Sequence, residues 1–359
     1  MDPIFSYQVI QEFAEAVFAK IGFSNNHAKQ AAEVLIQSDL RGIESHGIAR
    51  LAGYVRLWDL KRLNPSPNIT IAHESPGTAV VDGDNGVGLV VAPWAMRVAI
   101  DKARVCGTGW VAVRNSNHFG IAGYHAMMAL EHDMIGIALT NASPVVAPTH
   151  SIEGMLGTNP IAVAVPAGNE PPFVADFATT TVANGKLEVL QRKNAPVPLG
   201  WVQDKEGNPT KSPYTLKEGG TLLPLGGDFE HSSYKGYALA SIVDILSAVL
   251  SGANYGPWVP PFVPYLEPRK DLVGKGIGHF VGAMRIDAFR NADEFKSHMD
   301  NWIGTFRKAR VRSGGTPVLV PGDPERLMQE ERAKSGIPLN SKVVEDLRKL
   351  AERFTIKFD

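Results

Sequence analysis

A single cysteine, Cys106, in a chain of 359 residues rules out an intramolecular disulfide framework and any multi-cysteine metal site, and it suits a reducing compartment. Cys106 reads as a packing residue. Charge of one sign is equally scarce: 36 Lys+Arg stand against 37 Asp+Glu, a net charge of -1. The overall balance therefore points to neither nucleic acid nor an anionic membrane as a partner, which leaves small-molecule chemistry as the default. Long apolar runs are missing too. The most apolar helical stretch, Tyr237 to Leu250, carries Asp244 and Ser247 and is shorter than the roughly 20 residues that span a bilayer, so it reads as a buried core helix. At the N-terminus, MDPIFSYQVIQEFAEAV, acids interrupt the apolar residues early, without the basic flank and apolar run of a signal peptide. A cytoplasmic chain is the expectation.

The short phosphate- and metal-binding motifs are absent as well. GDNGVG (Gly83 to Gly88) and GKGIG (Gly274 to Gly278) lack the G-x-G-x-x-G order of a Rossmann dinucleotide site, and no Walker loop, HExxH or EF-hand pattern occurs. His118, His125 and His132 recur every seven residues, but seven residues cover about 10.5 Å of helix, too far for two of them to share one ion. No internal repeat or low-complexity tract is present.

With 44% hydrophobic and 20% charged residues, the chain has material for a large core divided into two or three lobes. Residues 7 to 21 place Val9, Ile10, Phe13, Val17 and Ile21 at helical spacing, and Ser24 can cap a second helix through Ala28, Ala31, Val34 and Leu35. After the turn-rich Asn64 to Asn68, short β-branched runs predict strands at Thr78–Val81, Trp110–Val113, Ile135–Leu139, Ile161–Val165 and Phe173–Ala175. Helical patterns near 89–105, 120–132, 183–192 and 235–252 lie among them, which implies strands layered with helices on both faces. Pro and Gly crowd Gly256 to Gly278, predicting a long loop, with a strand at His279–Ile286 after it. The chain then turns helical from Asn291, ending in Ser341–Phe354 with a Ser cap, and this tail is expected to pack on the N-terminal helices.

Candidate chemistry concentrates in three places. In SDLRGIESHGIARLAGY (Ser38 to Tyr54), Ser45 can cap a helix on which His46, Arg50 and Tyr54 fall on one face. An arginine fork grips a carboxylate while an imidazole protonates the neighbouring carbonyl oxygen, so the pair suits a 2-oxo acid. Spacing alone is better accounted for by an ordinary solvated helix face, since such His and Arg pairs are common. His118 follows a strand in a polar Asn-Ser-Asn turn, where a functional and a packed histidine are both open readings. His125 and His132 read as structural or solvated. Asp176 closes the apolar run Phe173 to Ala175; a buried carboxylate there needs a partner, either a histidine it orients or a helix N-terminus it caps. A cofactor-free hydrolase or lyase using His118 and Asp176 is one reading of these residues, and a non-catalytic metabolite-binding protein is another.

Taken together, SHGIAR, NHFG, GTNP (Gly157 to Pro160), VADFATT, SYKGYAL (Ser233 to Leu239), PLGWVQDKEGNPTKSP and VPGDPE (Val320 to Glu325) resemble the non-Rossmann malate/L-lactate dehydrogenase family, nearly end to end. The resemblance implies an α/β fold with a mixed, roughly seven-stranded sheet like that of L-sulfolactate dehydrogenase. Residues 76–289 would bind the cofactor, and a helical lobe would form from residues 1–75, completed by 290–359. It implies a homodimer with active sites near the interface, using NAD or NADP to move a hydride between the cofactor and a small 2-hydroxy or 2-oxo acid. Malate/oxaloacetate is the preferred pair; lactate, ureidoglycolate, sulfolactate and sugar-derived 2-oxo acids are alternatives. By the same resemblance His46 matches the proton donor, Asp176 the aspartate that orients it, Arg50 the carboxylate-binding arginine with Ser45 beside it, and His118 the proton-transferring histidine of ureidoglycolate-type members. Tyr54, on the same face as Arg50, is placed with the substrate. Val174, Asp176, Ala178, Thr180, Thr158, Asn159, Lys235, Gly236, Gly322, Asp323 and Pro324 match positions around the dinucleotide. The match is weakest over Gly256 to Gly278.

Overall fold

The protein's structure, a computed structural model, describes residues 2–358 apart from the side chain of residue 192. The chain opens with a two-residue strand β1 (Ile4–Phe5) and three helices, α1 (Tyr7–Lys20), α2 (Asn25–Leu40) and α3 (Leu51–Asp59). The apolar faces of the three helices share one core, and Ser24 starts α2 by accepting the His27 N–H. Strands β2 (Thr70–Glu74) and β3 (Thr78–Gly86) lead into α4 (Gly88–Cys106), then β4 (Thr108–Ser116), α5 (Ala122–Met127), β5 (Met134–Thr140), β6 (Ile161–Val165) and β7 (Phe173–Phe177). Next come α6 (Asn184–Arg192), the short pair β8 (Val202–Gln203) and β9 (Thr221–Leu222), α7 (Ser233–Asp244) and β10 (Ile277–Arg285). Helices α8 (Ala292–Arg307), α9 (Asp323–Ser335) and α10 (Ser341–Phe354) complete the chain, with β11 (Ile337–Pro338) pairing back onto β1.

Seven strands form one mixed sheet in the order β2-β3-β4-β10-β5-β6-β7. Only β3 and β4 pair in parallel, through the α4 crossover, and every other pairing is antiparallel. β10, the last strand of this sheet in chain order, occupies the middle, and it reads as a nearly continuous apolar run because it is covered on both faces. One core joins α1, α2 and α3 to Val343, Val344, Leu347 and Leu350 of α10. A second lies between the sheet and helices α4 and α5, and a third surrounds β8, β9 and α6. Helix α8 packs at the sheet edge, where Trp302 meets Phe173 edge-on at 5.8 Å.

Several expectations need correction. The stretch from Glu44 to Tyr54 is not one helix capped by Ser45: two single 3₁₀ turns, Glu44–His46 and Ile48–Arg50, precede α3, because Gly47 between them sits at φ -87°, ψ -147°, outside the helical region. Nor is Tyr237 to Leu250 a buried core helix. α7 and the π-turn after it bury Ala240, Val243 and Ala248 but leave Ile242, Ile245, Val249 and Leu250 more than half exposed. Cys106 is exposed at the end of α4 rather than packed. Helix α10 is capped by Asn340, which accepts the Lys342 N–H at 3.1 Å, and Ser341 is its first helical residue. The Pro-rich loop is held by buried polar groups: Asp244 accepts from the Gly256 N–H at 2.8 Å, while Asn254 accepts from Gly274 at 2.9 Å. Among the described residues, no helix is long and apolar enough to cross a membrane.

Candidate active site

The parallel β3–β4 pair ends at one edge of the sheet, the side on which open α/β sheets bind ligands. There Asn117 ties the turn after β4 to the end of β3, donating to the Asn85 carbonyl at 3.0 Å and the Gly86 carbonyl at 3.3 Å. This fixes His118. Its ring Nδ1 meets the Tyr54 hydroxyl at 2.6 Å and also faces the Gly120 N–H at 3.4 Å. Two donors converging on Nδ1 make it an acceptor, which leaves the ring proton on Nε2. The phenol donates because burial raises the Tyr54 pKa far above its ordinary value.

His46 faces His118 across the gap, the rings stacked with centroids 5.6 Å apart, and its Nδ1 lies 2.8 Å from the Ser45 hydroxyl. The loop that carries it is fixed from beneath by Asp39, a buried carboxylate that accepts the Ile48 N–H at 2.6 Å. Gly47 passes so close that a Cβ there would lie 2.0 Å from an Asp39 oxygen. This contact, not a helix face, sets His46 beside Arg50. The Arg50 Nε donates to the Ser45 carbonyl, and its fork spans both carboxylate oxygens of Glu188 at 3.3 and 3.2 Å.

Burial and the nearby Arg50 charge push His46 down to about 3, and burial, His46, Arg50 and His279 hold His118 well below the ordinary imidazole range. Both rings are neutral around pH 7. As neutral bases they can accept the hydroxyl proton of a hydroxy acid and return it in the reverse direction.

Asp176 stands elsewhere. Among the described residues no hydrogen bond or ion pair joins it to His46; its carboxylate accepts the Gly123 N–H at 2.7 Å in the first turn of α5. Of the two sequence readings, the helix-capping one is what the structure contains. Burial raises Asp176 to about 6, against the Gly123 hydrogen bond and Arg41. The remaining resemblance-derived positions gather around the end of β7. Val174 donates to the Pro321 carbonyl at 3.0 Å, Thr179 to that of Thr158 at 2.9 Å, and Leu225, against which Gly236 lies, to that of Thr179 at 3.0 Å. Three of their side chains are already engaged within the protein. Asn159 bridges Ala142 and Ala240, Thr180 donates to the Val182 carbonyl, and Asp323 pairs with Arg307 at 2.7 Å. Lys235 and Pro324 are exposed, and Thr158 and Ala178 are half-buried.

Three residues at the site gave no signal in the sequence. Phe262, from the Pro-rich loop, stacks on His118 at 4.4 Å and against Tyr54 at 5.1 Å, its backbone N–H donating to Ser143 at 2.9 Å. It fits because residue 53 is glycine, where a Cβ would meet the Phe262 ring at 2.6 Å. Asp39 and Glu188 lie in segments with ordinary amphipathic patterning, and nothing local marks them.

Two buried and two half-buried imidazoles make acid stability predictable. His46, His118, His125 and His279 all have depressed pKa values, so below about pH 6.5 the unfolded chain takes up protons that the folded one refuses. Asp39, raised to about 7, and Asp176 act oppositely, taking up protons in the folded state first. The histidines outnumber them, so stability should fall by about 2–3 kcal/mol per pH unit near pH 5. Urea midpoints measured from pH 7 to 4 check this; a flat profile contradicts the burial of these rings.

The sheet with its late central strand, the two facing imidazoles and the adjacent arginine can be set against known proteins. The profile of the malate/L-lactate dehydrogenase family matches residues 5–348. The chain belongs to that family. Malate dehydrogenase from Pyrococcus abyssi is 43% identical over 357 residues, spanning 99% of this chain and 94% of the relative. The solved malate dehydrogenase of Pyrococcus horikoshii superposes with a TM-score of 0.90 at 38% identity, covering 100% of this chain and 97% of its own. Sulfolactate dehydrogenase from Methanocaldococcus jannaschii superposes at 0.88 with 36% identity, covering 99% and 98%. The fold is therefore the mixed-sheet fold of this dehydrogenase family, and the protein is an enzyme of the family, a dehydrogenase of 2-hydroxy acids.

Proposed function

We propose that this dehydrogenase interconverts malate and oxaloacetate with NAD or NADP. The observation that supports it most directly is a pair of neutral, facing imidazoles, His46 and His118, beside the guanidinium of Arg50. Arg50 would hold the carboxylate attached to the reacting carbon, and His46 would take the hydroxyl proton on oxidation and return it on reduction. Ser45 orients the His46 ring, Tyr54 holds that of His118, and Phe262 covers the His118 face. The residues near β7 suit a nicotinamide dinucleotide by their chemistry: Lys235 offers an exposed cation for phosphate, Thr158 a hydroxyl, and Ala178 a small apolar face. When bound, that cofactor would supply or accept the hydride. Asp176 serves here as the cap of α5 beside the cofactor positions.

Malate is preferred because relatives named for it match over nearly the whole chain, and sulfolactate is the competing substrate because a relative named for that acid superposes almost as well. Oxaloacetate, pyruvate, sulfopyruvate and ureidoglycolate, assayed by absorbance with each reduced or oxidised nucleotide as the direction requires, test the reading. Highest kcat/KM for oxaloacetate supports it, and a higher value for any other acid overturns the malate assignment. We further take residues 1–75 together with α10 as one helical lobe, and the sheet, with α8 at its edge, as the cofactor lobe.

A homodimer is part of the same reading. Tyr234, Tyr237, Ile242, Ile245 and Val249 leave a stripe of exposed apolar surface along α7 and its extension, larger side chains than a solvated helix face ordinarily presents. Ile245→Glu should convert a dimer to a monomer on size-exclusion chromatography; an unchanged elution volume removes this face from the interface.

A further inference from the structure

The carboxylate already seated on Arg50 belongs to the chain itself. Glu188, on α6, reaches the guanidinium with both oxygens, at 3.3 and 3.2 Å, in the side-by-side arrangement that arginine adopts with a substrate carboxylate. The pair is half-shielded, with side-chain exposures of 18% for Arg50 and 29% for Glu188. Its approach is built in. Asn184, one turn earlier on α6, donates to the same Glu188 oxygen at 3.1 Å, and the Tyr265 hydroxyl lies 3.5 Å from Asn184. Gly185 lets the start of α6 lie directly on Ser45, where a Cβ would come within 2.2 Å of the serine Cβ. The Nε edge of Arg50 is engaged by the Ser45 carbonyl, so the edge that faces Glu188 is the one left for a bidentate partner.

We propose that Glu188 is a specificity-determining residue that occupies the substrate-carboxylate position in the resting enzyme, so that a 2-oxo acid binds by displacing it from Arg50. This rests on the reading of Arg50 as the carboxylate-binding residue. Two consequences follow from charge. A ligand must bring a carboxylate able to outcompete a tethered one, which disfavours neutral carbonyl compounds, since binding them would leave Glu188 on the arginine and the carbonyl unanchored. Glu188 also keeps the Arg50 charge compensated while the site is empty, avoiding an unpaired cation beside two neutral imidazoles.

Because the competent form is only the fraction of molecules in which Glu188 has left Arg50, apparent affinity is reduced by that fraction. Glu188→Gln, which keeps the shape and removes the competing charge, should therefore tighten binding of oxamate, an unreactive 2-oxo acid analogue, by roughly three- to tenfold, the range of a half-shielded ion pair. KM for the best 2-oxo acid should fall by the same factor, and the change should appear in KM rather than in kcat. Glu188→Asp, one methylene too short to span the fork, should fall between the two. Calorimetric titration of oxamate into the enzyme saturated with reduced nucleotide, for the parent, Glu188→Gln and Arg50→Gln, decides among the outcomes. Tighter binding in Glu188→Gln with weaker binding in Arg50→Gln supports the proposal. Unchanged or weaker binding in Glu188→Gln, with weaker binding in Arg50→Gln, overturns it, because Glu188 would then be a support for Arg50 in the complex or irrelevant to it. Unchanged binding in Arg50→Gln removes Arg50 from the carboxylate site and overturns the underlying reading itself. Residue 188 lies on a half-exposed helical surface, so matched thermal midpoints confirm that each protein titrated is folded.

Discussion

His46→Asn should lower kcat by about 10²- to 10⁴-fold, the usual contribution of a positioned general acid or base, while the nicotinamide nucleotide still binds. Asparagine can keep a hydrogen bond to the Ser45 hydroxyl, 2.8 Å from Nδ1 in the parent, but it cannot carry a proton. His118→Asn should weaken binding more than it slows the chemical step, because the Nδ1 of that ring is already occupied by Tyr54 and its face by Phe262 at 4.4 Å. The preference for His46 rests on its position: it shares a loop with Arg50, and the carbonyl of a 2-oxo acid is bonded directly to the carboxylate carbon that the arginine would hold. Measuring kcat, KM and nucleotide affinity for both variants separates the roles. A larger kcat loss in His118→Asn, with His46→Asn nearly active, reverses the assignment.

Arg50→Lys should raise KM for the best 2-oxo acid by roughly tenfold to 100-fold without unfolding the protein. Lysine keeps the charge but loses the planar fork, and with it one charge-assisted hydrogen bond to the carboxylate and the Nε bond to the Ser45 carbonyl that orients the side chain. Steady-state kinetics with thermal midpoints for both proteins check this, and an unchanged KM removes Arg50 from the site. The lost fork also frees Glu188, so the ion pair weakens along with substrate binding; the KM effect is therefore expected at the lower end of the range if the two losses offset each other.

What could be read before the fold was known depended on whether the information was local. Periodicity located α1, α2, α4 and most strands of the sheet because an amphipathic helix or a half-buried strand writes its own pattern into neighbouring residues. The same reasoning misread Ser45 to Tyr54, since His46, Arg50 and Tyr54 do recur at helical spacing, while the non-helical backbone of Gly47, packed closely on Asp39, breaks the helix between them. It also misjudged Tyr237 to Leu250, because an apolar helix buried in a core and one with an exposed apolar face have the same composition. Asp176 was recognised as a carboxylate in need of a partner, yet the choice between a histidine and a helix N-terminus depended on where α5 lies.

The residue types of the chemistry, two histidines and an arginine, together with the spacing that puts Ser45, His46 and Arg50 within six positions, were determined by the sequence itself, as were the absence of a Rossmann fingerprint and the family motifs. Tertiary structure alone decided that His118, 72 positions after His46 in the chain, stacks on it at 5.6 Å. It alone brought Phe262 from the Pro-rich loop onto both Tyr54 and His118, and Glu188 from α6 onto Arg50. The physical reason is range. Hydrogen-bond caps, turns and hydrophobic periodicity act between residues a few positions apart, whereas these contacts join segments separated by tens to hundreds of residues, and nothing in either segment records which distant partner the packed sheet and helices will set against it.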